Sequence, residues 1–196
     1  LRDKDTGRPL VSFGNVEERL EAAGERLVFA MNAGMYHSDR RPVGHYVEDG
    51  EPLAPLIPSA EPGNFGMLPN GVFCIAEGRA DVVETLRFVE EAPACRHATQ
   101  SGPMLVIDGE LHPRFLPDST SYYVRNGVGT SADGQRAVFA ISRNAVTFHQ
   151  FGSLFRDHLK LPNALYFDGN ISRLHAPQLG RSDAGFAMGP IVGVVE

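Results

Sequence analysis

Apolar runs of four to seven residues recur along this chain between turns rich in Gly, Pro, Asn and Asp, and that rhythm predicts strands rather than helices. The runs cover residues 10–13, 27–31, 43–47, 71–76, 80–83, 104–107, 137–142, 145–148, 164–167 and 191–195. Glu77-Gly78 and Asp108-Gly109 carry hairpin chemistry between neighbouring runs, and Arg143-Asn144 predicts another tight turn. Only two segments have helical spacing. Residues 16–24 place Val16, Leu20 and Ala23 on one face, with Asn15 as a candidate N-cap and Gly24 as the stop. Residues 150–159 align Phe151, Leu154, Phe155 and His158 or Leu159, and Pro162 forbids continuation. Many strands, few helices and no βαβ alternation predict an α+β domain: a mixed, largely antiparallel sheet core with a few flanking helices. No repeat or linker divides the chain, so residues 1–196 are expected to form a single domain, with residues 51–62 as a proline-rich surface loop.

Composition narrows the function classes. Of 196 residues, 42% are hydrophobic and 21% charged, enough apolar material to bury a core. The formal net charge is −6 with no Lys/Arg run, so the basic footprint of a nucleic-acid partner is missing. No apolar stretch approaches the roughly 20 residues of a membrane span. The chain starts at Leu1 in the middle of a pattern, which leaves room for a removed leader. Cys74 sits in an apolar run and Cys95 in a Pro-Ala-Cys-Arg loop, and sequence alone leaves their pairing open. The seven histidines include no His-x-x-x-His or His-Glu-x-x-His spacing, so neither a metal nor a cofactor is expected.

Chemistry-bearing residues cluster in short glycine-punctuated motifs after the apolar runs. They are Asn32-Ala33-Gly34-Met35-Tyr36, Pro69-Asn70-Gly71, Gln100-Ser101-Gly102-Pro103, Arg125-Asn126-Gly127-Val128-Gly129 and Asp168-Gly169-Asn170-Ile171-Ser172-Arg173. Loops at strand ends present side chains from a rigid scaffold, so the five predict one polar pocket. A carboxylate there, Asp168, can act as base or nucleophile at an anomeric carbon. The guanidinium of Arg125 matches phosphate oxygens. Asp-Gly is also an ordinary turn pair and a lone arginine an ordinary surface cation, so neither residue type is diagnostic by itself.

Taken in order, NAGMY, PVG, PNGVF, ATQSGPMLV, RNGVG, VTFHQF and DGNIS resemble the phosphodiester glycosidase family over residues 27–194. Asn170 stands where members commonly carry a second glycine after the Asp-Gly pair. The resemblance implies a hydrolase that cleaves between a sugar anomeric carbon and a phosphodiester, N-acetylglucosamine being one candidate sugar. It implies a substrate that is a small molecule or a glycan carrying a sugar phosphate. It also implies work on envelope material or exopolysaccharide, in a secreted or periplasmic protein. Asp168 and Arg125 would be catalytic. Asn32, Gly34, Asn70, Gln100, Ser101, Gly102, Asn126, Gly169, Ser172 and Arg173 would bind substrate, Arg173 also keeping Asp168 ionised. Two rivals remain at this level: a hydrolase of ordinary glycosidic or phosphate ester bonds, and a non-catalytic carbohydrate-binding protein using Tyr36, Tyr122 and Tyr123 as platforms.

Overall fold

The computed structural model describes residues 3, 5–60 and 62–196. The first half runs α1 (Phe13–Glu21), β1 (Leu27–Asn32), β2 (Tyr46–Glu48), β3 (Glu51–Ala54), β4 (Gly71–Ala76), β5 (Arg79–Glu84) and α2 (Thr85–Glu91). Strands β6 (His97–Ser101), β7 (Met104–Ile107), β8 (Glu110–Leu111), β9 (Asn126–Thr130) and β10 (Ala137–Ile141) follow. The chain ends with α3 (Phe148–Ser153), β11 (Asn163–Tyr166), β12 (Leu174–Ala176), β13 (Arg181–Ser182) and β14 (Ile191–Val195). This is an α+β fold, and every strand pairing among the described residues is antiparallel.

The strands form three sheets, in the orders β13-β12-β1-β14, β10-β9-β11-β7-β8 and β3-β2-β6-β4-β5. Each has one helix against it. Phe13 and Val16 of α1 pack on Leu27 and Ala30 of the first sheet, and Phe151 of α3 packs on Leu105 and Ala164 of the second. Phe88 of α2 packs on Val72 and Ala98 of the third. The opposite faces meet in a shared core: Met31 and Leu174 from the first sheet, Met104, Val128 and Leu165 from the second, Phe73 and Val82 from the third. Burial of that apolar surface holds the three sheets at fixed distances, which makes their strand ends a rigid frame.

Several sequence expectations need correction. Residues 10–13 are not a strand: Val11 turns at positive φ, and the Ser12 side chain, not Asn15, accepts the Asn15 N–H to cap α1. Residues 145–148 form only an isolated bridge from Val146 to Tyr123, because Thr147 and Gln150 close a capping box that starts α3. Beyond Ser153 this helix widens into a π-helical turn, Leu154–His158. Within the expected loop 51–62, Glu51–Ala54 pairs with β2 through the Asp49-Gly50 turn, both residues at positive φ. Helix α2 lacks the usual sequence signal of a helix start, since its cap is the atypical Glu84, whose carboxylate accepts the Leu86 and Arg87 N–H groups. Gly127-Val128-Gly129 is an interior strand, not a loop.

Candidate active site

Each sheet sends one buried polar side chain to the segment that carries Asp168. Asn32 ends β1, Ser101 ends β6 and Asn126 opens β9, and all three are 0% exposed. Asn126 Oδ1 accepts the Asp168 backbone N–H at 3.1 Å. Asn126 Nδ2 donates to Asn32 Oδ1 at 2.8 Å, and that same oxygen accepts the Arg173 N–H at 2.8 Å. Ser101 Oγ donates to the Phe167 carbonyl at 3.1 Å. The loop from Phe167 to Arg173 is thus pinned at both ends by groups whose burial leaves them no water as an alternative partner.

In front of this frame lies a cleft of about 560 Å³, within the usual size range of small-molecule sites. Asp168, Gly169 and Asn170 form one wall, Arg125 and Tyr166 another, and Met35 and Tyr36 a third. Arg125 is nearly fully buried, yet no carboxylate pairs with it among the described residues. Its Nε donates to the Val146 carbonyl at 2.8 Å and its Nη2 to the Ser121 carbonyl at 2.9 Å. The guanidinium stacks 3.6 Å from the Phe148 ring centroid, with Tyr123 and Tyr166 at 5.4 and 5.5 Å. Burial works against its charge, while Tyr166 and Tyr123 favour it. The guanidinium is thus a buried cation held by carbonyls and aromatic rings rather than by a carboxylate.

Asp168 is the carboxylate that lines the same cleft. Burial pushes its carboxyl above the ordinary carboxylate value of 3.8, opposed by the N–H groups of Asn170, Gly169 and Ile171. Asn170 N–H donates to its Oδ1 at 2.8 Å. Arg173 does not pair with it: that guanidinium donates to the Phe186 carbonyl instead. The expectation that Arg173 keeps Asp168 ionised is therefore corrected; desolvation makes Asp168 a stronger base than a free carboxylate. Asn170 does not adopt positive φ and stands exposed, so replacing a glycine there strains nothing. Gly169 is different: a Cβ would sit 2.1 Å from the Tyr166 hydroxyl.

The remaining residues singled out from sequence do not line the cleft. Gln100 accepts the His45 and Ile57 N–H groups at 3.0 Å each and donates to the Ile57 carbonyl, tying the 55–60 segment to β6. Asn70 Nδ2 donates to the Phe65 carbonyl at 2.8 Å. A Cβ on Gly34 would meet the Gln100 carbonyl, and one on Gly102 the Phe65 carbonyl, each at 2.5 Å. Ser172 lines an adjoining groove with Arg143, its hydroxyl within 3.0 Å of the Asp168 and Val124 carbonyls. Sequence reasoning passed over Tyr166, Asn64 and Ser121, which also line the cleft. Tyr166 had a signal, since it falls two residues before Asp168 in the same run; Asn64 and Ser121 sit in irregular segments with none. Among the described residues no three His, Cys, Asp or Glu side chains come together as a metal site.

Comparison with known proteins bears on the family and the fold. The profile of the phosphodiester glycosidase family matches residues 25–176, from the start of β1 to the end of β12. The uncharacterized protein YigE of Escherichia coli K12 is 36% identical over 146 residues, 74% of this chain and 57% of that protein. Among solved structures, the catalytic domain of zebrafish N-acetylglucosamine-1-phosphodiester alpha-N-acetylglucosaminidase, auto-inhibited by its pro-peptide, superimposes with a TM-score of 0.60. That match covers 88% of this chain and 64% of that one at 13% identity, a likeness of fold. The chain thus spans less than two thirds of the length of these relatives. The matched span holds every strand that frames Asp168 and Arg125, and the chain belongs to the phosphodiester glycosidase family.

Proposed function

We propose that this protein hydrolyses sugar-1-phosphodiesters, with Asp168 at the anomeric carbon and Arg125 on the phosphate. The observation that carries this reading is the pairing of a buried, anion-free guanidinium with a desolvated carboxylate in one cleft. Arg125 binds a phosphate oxygen and stabilises the charge that grows as the bond between C1 and the bridging oxygen breaks. The phosphomonoester leaves as a weak base and needs little help from a general acid. Asp168 stabilises the developing positive charge at C1, water oxygen ends on C1, and a proton is released. Tyr36 and Tyr123 offer apolar faces to the sugar ring.

The sugar in this reading is N-acetylglucosamine, the substrate class in the name of the zebrafish relative. The disulfide joining Cys74 and Cys95 supports a secreted or periplasmic location, where envelope glycans are available as substrate. The test is incubation with an N-acetylglucosamine-1-phosphodiester and with uridine diphosphate N-acetylglucosamine, with and without chelator. Free N-acetylglucosamine, with a phosphomonoester from the first substrate or uridine diphosphate from the second, absent with Asp168→Asn, supports the proposal; binding without turnover would instead point to a carbohydrate-binding protein.

A further inference from the structure

Three buried side chains converge on one seven-residue segment, and none of them faces the cleft. Asn126 holds the Asp168 N–H, Asn32 holds the Arg173 N–H and the Asn126 amide, and Ser101 holds the Phe167 carbonyl. The three belong to three different sheets, so they transmit the packing of the whole core to one loop. Asn126 Nδ2 also donates to the Asn32 main-chain carbonyl at 3.1 Å, which closes a ring between β1 and β9. A buried asparagine pair is an expensive way to join two sheets, since any unmade bond leaves a desolvated polar atom. Apolar residues would join the sheets as well, but they cannot set where Asp168 starts and where Arg173 ends.

We infer that Asn32, Asn126 and Ser101 are positioning residues: they clamp the Asp168 loop and act on the reaction only through the place and hydration of its carboxylate. This inference rests on Asp168 being the reacting group. It differs from a substrate-binding role for the same residues, which would require them to reach the cleft. Each is fully buried and none lines the cleft. Positioning of this kind matters because small displacements of a reacting group cost rate steeply, while substrate contacts made by Arg125 and the tyrosines are left intact.

The experiment compares Ser101→Ala, Asn126→Ala, Asn32→Leu and Asn32→Asp with the wild type by thermal unfolding, steady-state kinetics and carbon-13 NMR titration of the Asp168 carboxyl. Asn32→Asp keeps an oxygen for both donors that Asn32 now accepts from. For variants still folded at assay temperature, kcat is expected to fall on the order of 10- to 100-fold. KM stays within about twofold of the wild type, because the ground-state contacts are retained. Asn32→Asp recovers most of the kcat that Asn32→Leu loses. The Asp168 titration moves toward 3.8 in the impaired variants as the freed loop takes up water. Wild-type kcat and titration in folded Ser101→Ala and Asn126→Ala would overturn the clamp, as would a loss confined to KM. The titration needs no substrate: a shifted Asp168 in a protein whose wild type turns over no sugar phosphodiester sinks the catalytic reading and supports the clamp.

Discussion

The guanidinium carbon of Arg125 lies 3.6 Å from the centroid of the Phe148 ring. Two carbonyls fix the fork at Nε and Nη2, and the aromatic face fixes its plane. A lysine has neither the planar face nor the paired donors. Arg125→Lys is therefore expected to lower kcat/KM on a sugar phosphodiester by about 100-fold or more, the scale set by removal of a single charge-stabilising donor. Initial rates with a defined sugar phosphodiester measure this.

Asp168→Asn should remove turnover and raise stability at neutral pH. The folded state holds the Asp168 proton to higher pH than the unfolded chain, whose value is near 3.8. Folded protein is therefore least penalised below that value and loses stability as pH rises through the folded pKa. The asparagine escapes the penalty and still accepts the Asn170 N–H. Thermal unfolding of both proteins should show a gap that is present at pH 7 and closes toward pH 3.

His112 carries the opposite sign. It is buried against Phe115, 4.8 Å between ring centroids, and burial lowers its pKa from 6.5. The unfolded chain binds this proton first, so stability is complete above pH 6.5 and falls as pH drops from there toward the folded pKa. His112→Phe keeps the stack and should flatten the loss of melting temperature on the acid side of pH 6.5.

Gly169→Ala is expected to abolish most activity, because its Cβ would fall on the Tyr166 hydroxyl. Tyr166→Phe removes the obstructing oxygen. The double variant should recover activity relative to Gly169→Ala alone, a non-additivity that a double-mutant cycle on kcat/KM reads directly.

Replacing Cys74 and Cys95 together by alanine opens a cross-link spanning 21 residues of sequence separation. Loss of about 3 kcal/mol of unfolding free energy is expected for a loop of this size. Neither cysteine lines the cleft, so kcat should be unchanged. Urea titration with parallel kinetics tests both halves.

Periodicity alone determined a good part of this protein. Strands β4, β7 and β14 lie where their apolar runs predict, since a strand's core-facing pattern and its Gly or Asp turns are both local. Asp168 at the end of an apolar run and Arg125 before Asn-Gly were likewise readable as candidate chemistry, and the ordered motifs pointed to the family. The Asp49-Gly50 turn and the Thr147–Gln150 capping box were legible too, and reading them would have recovered β3 and the true start of α3.

Tertiary structure decided which polar residues face the cleft. Asn32, Asn126 and Asp168 look alike in sequence, each polar beside a glycine-containing motif. Two are fully buried and the third lines the cleft, because three sheets pack their strand ends around Asn32, Asn126 and Ser101. The two cysteines, separated by 21 positions, become partners only because β4 and the segment before β6 lie side by side. Hydrophobic patterning is a property of neighbours along the chain and survives in the sequence. Which hydrogen bonds a buried amide makes depends on groups more than ninety residues away, and only the packed core brings those together.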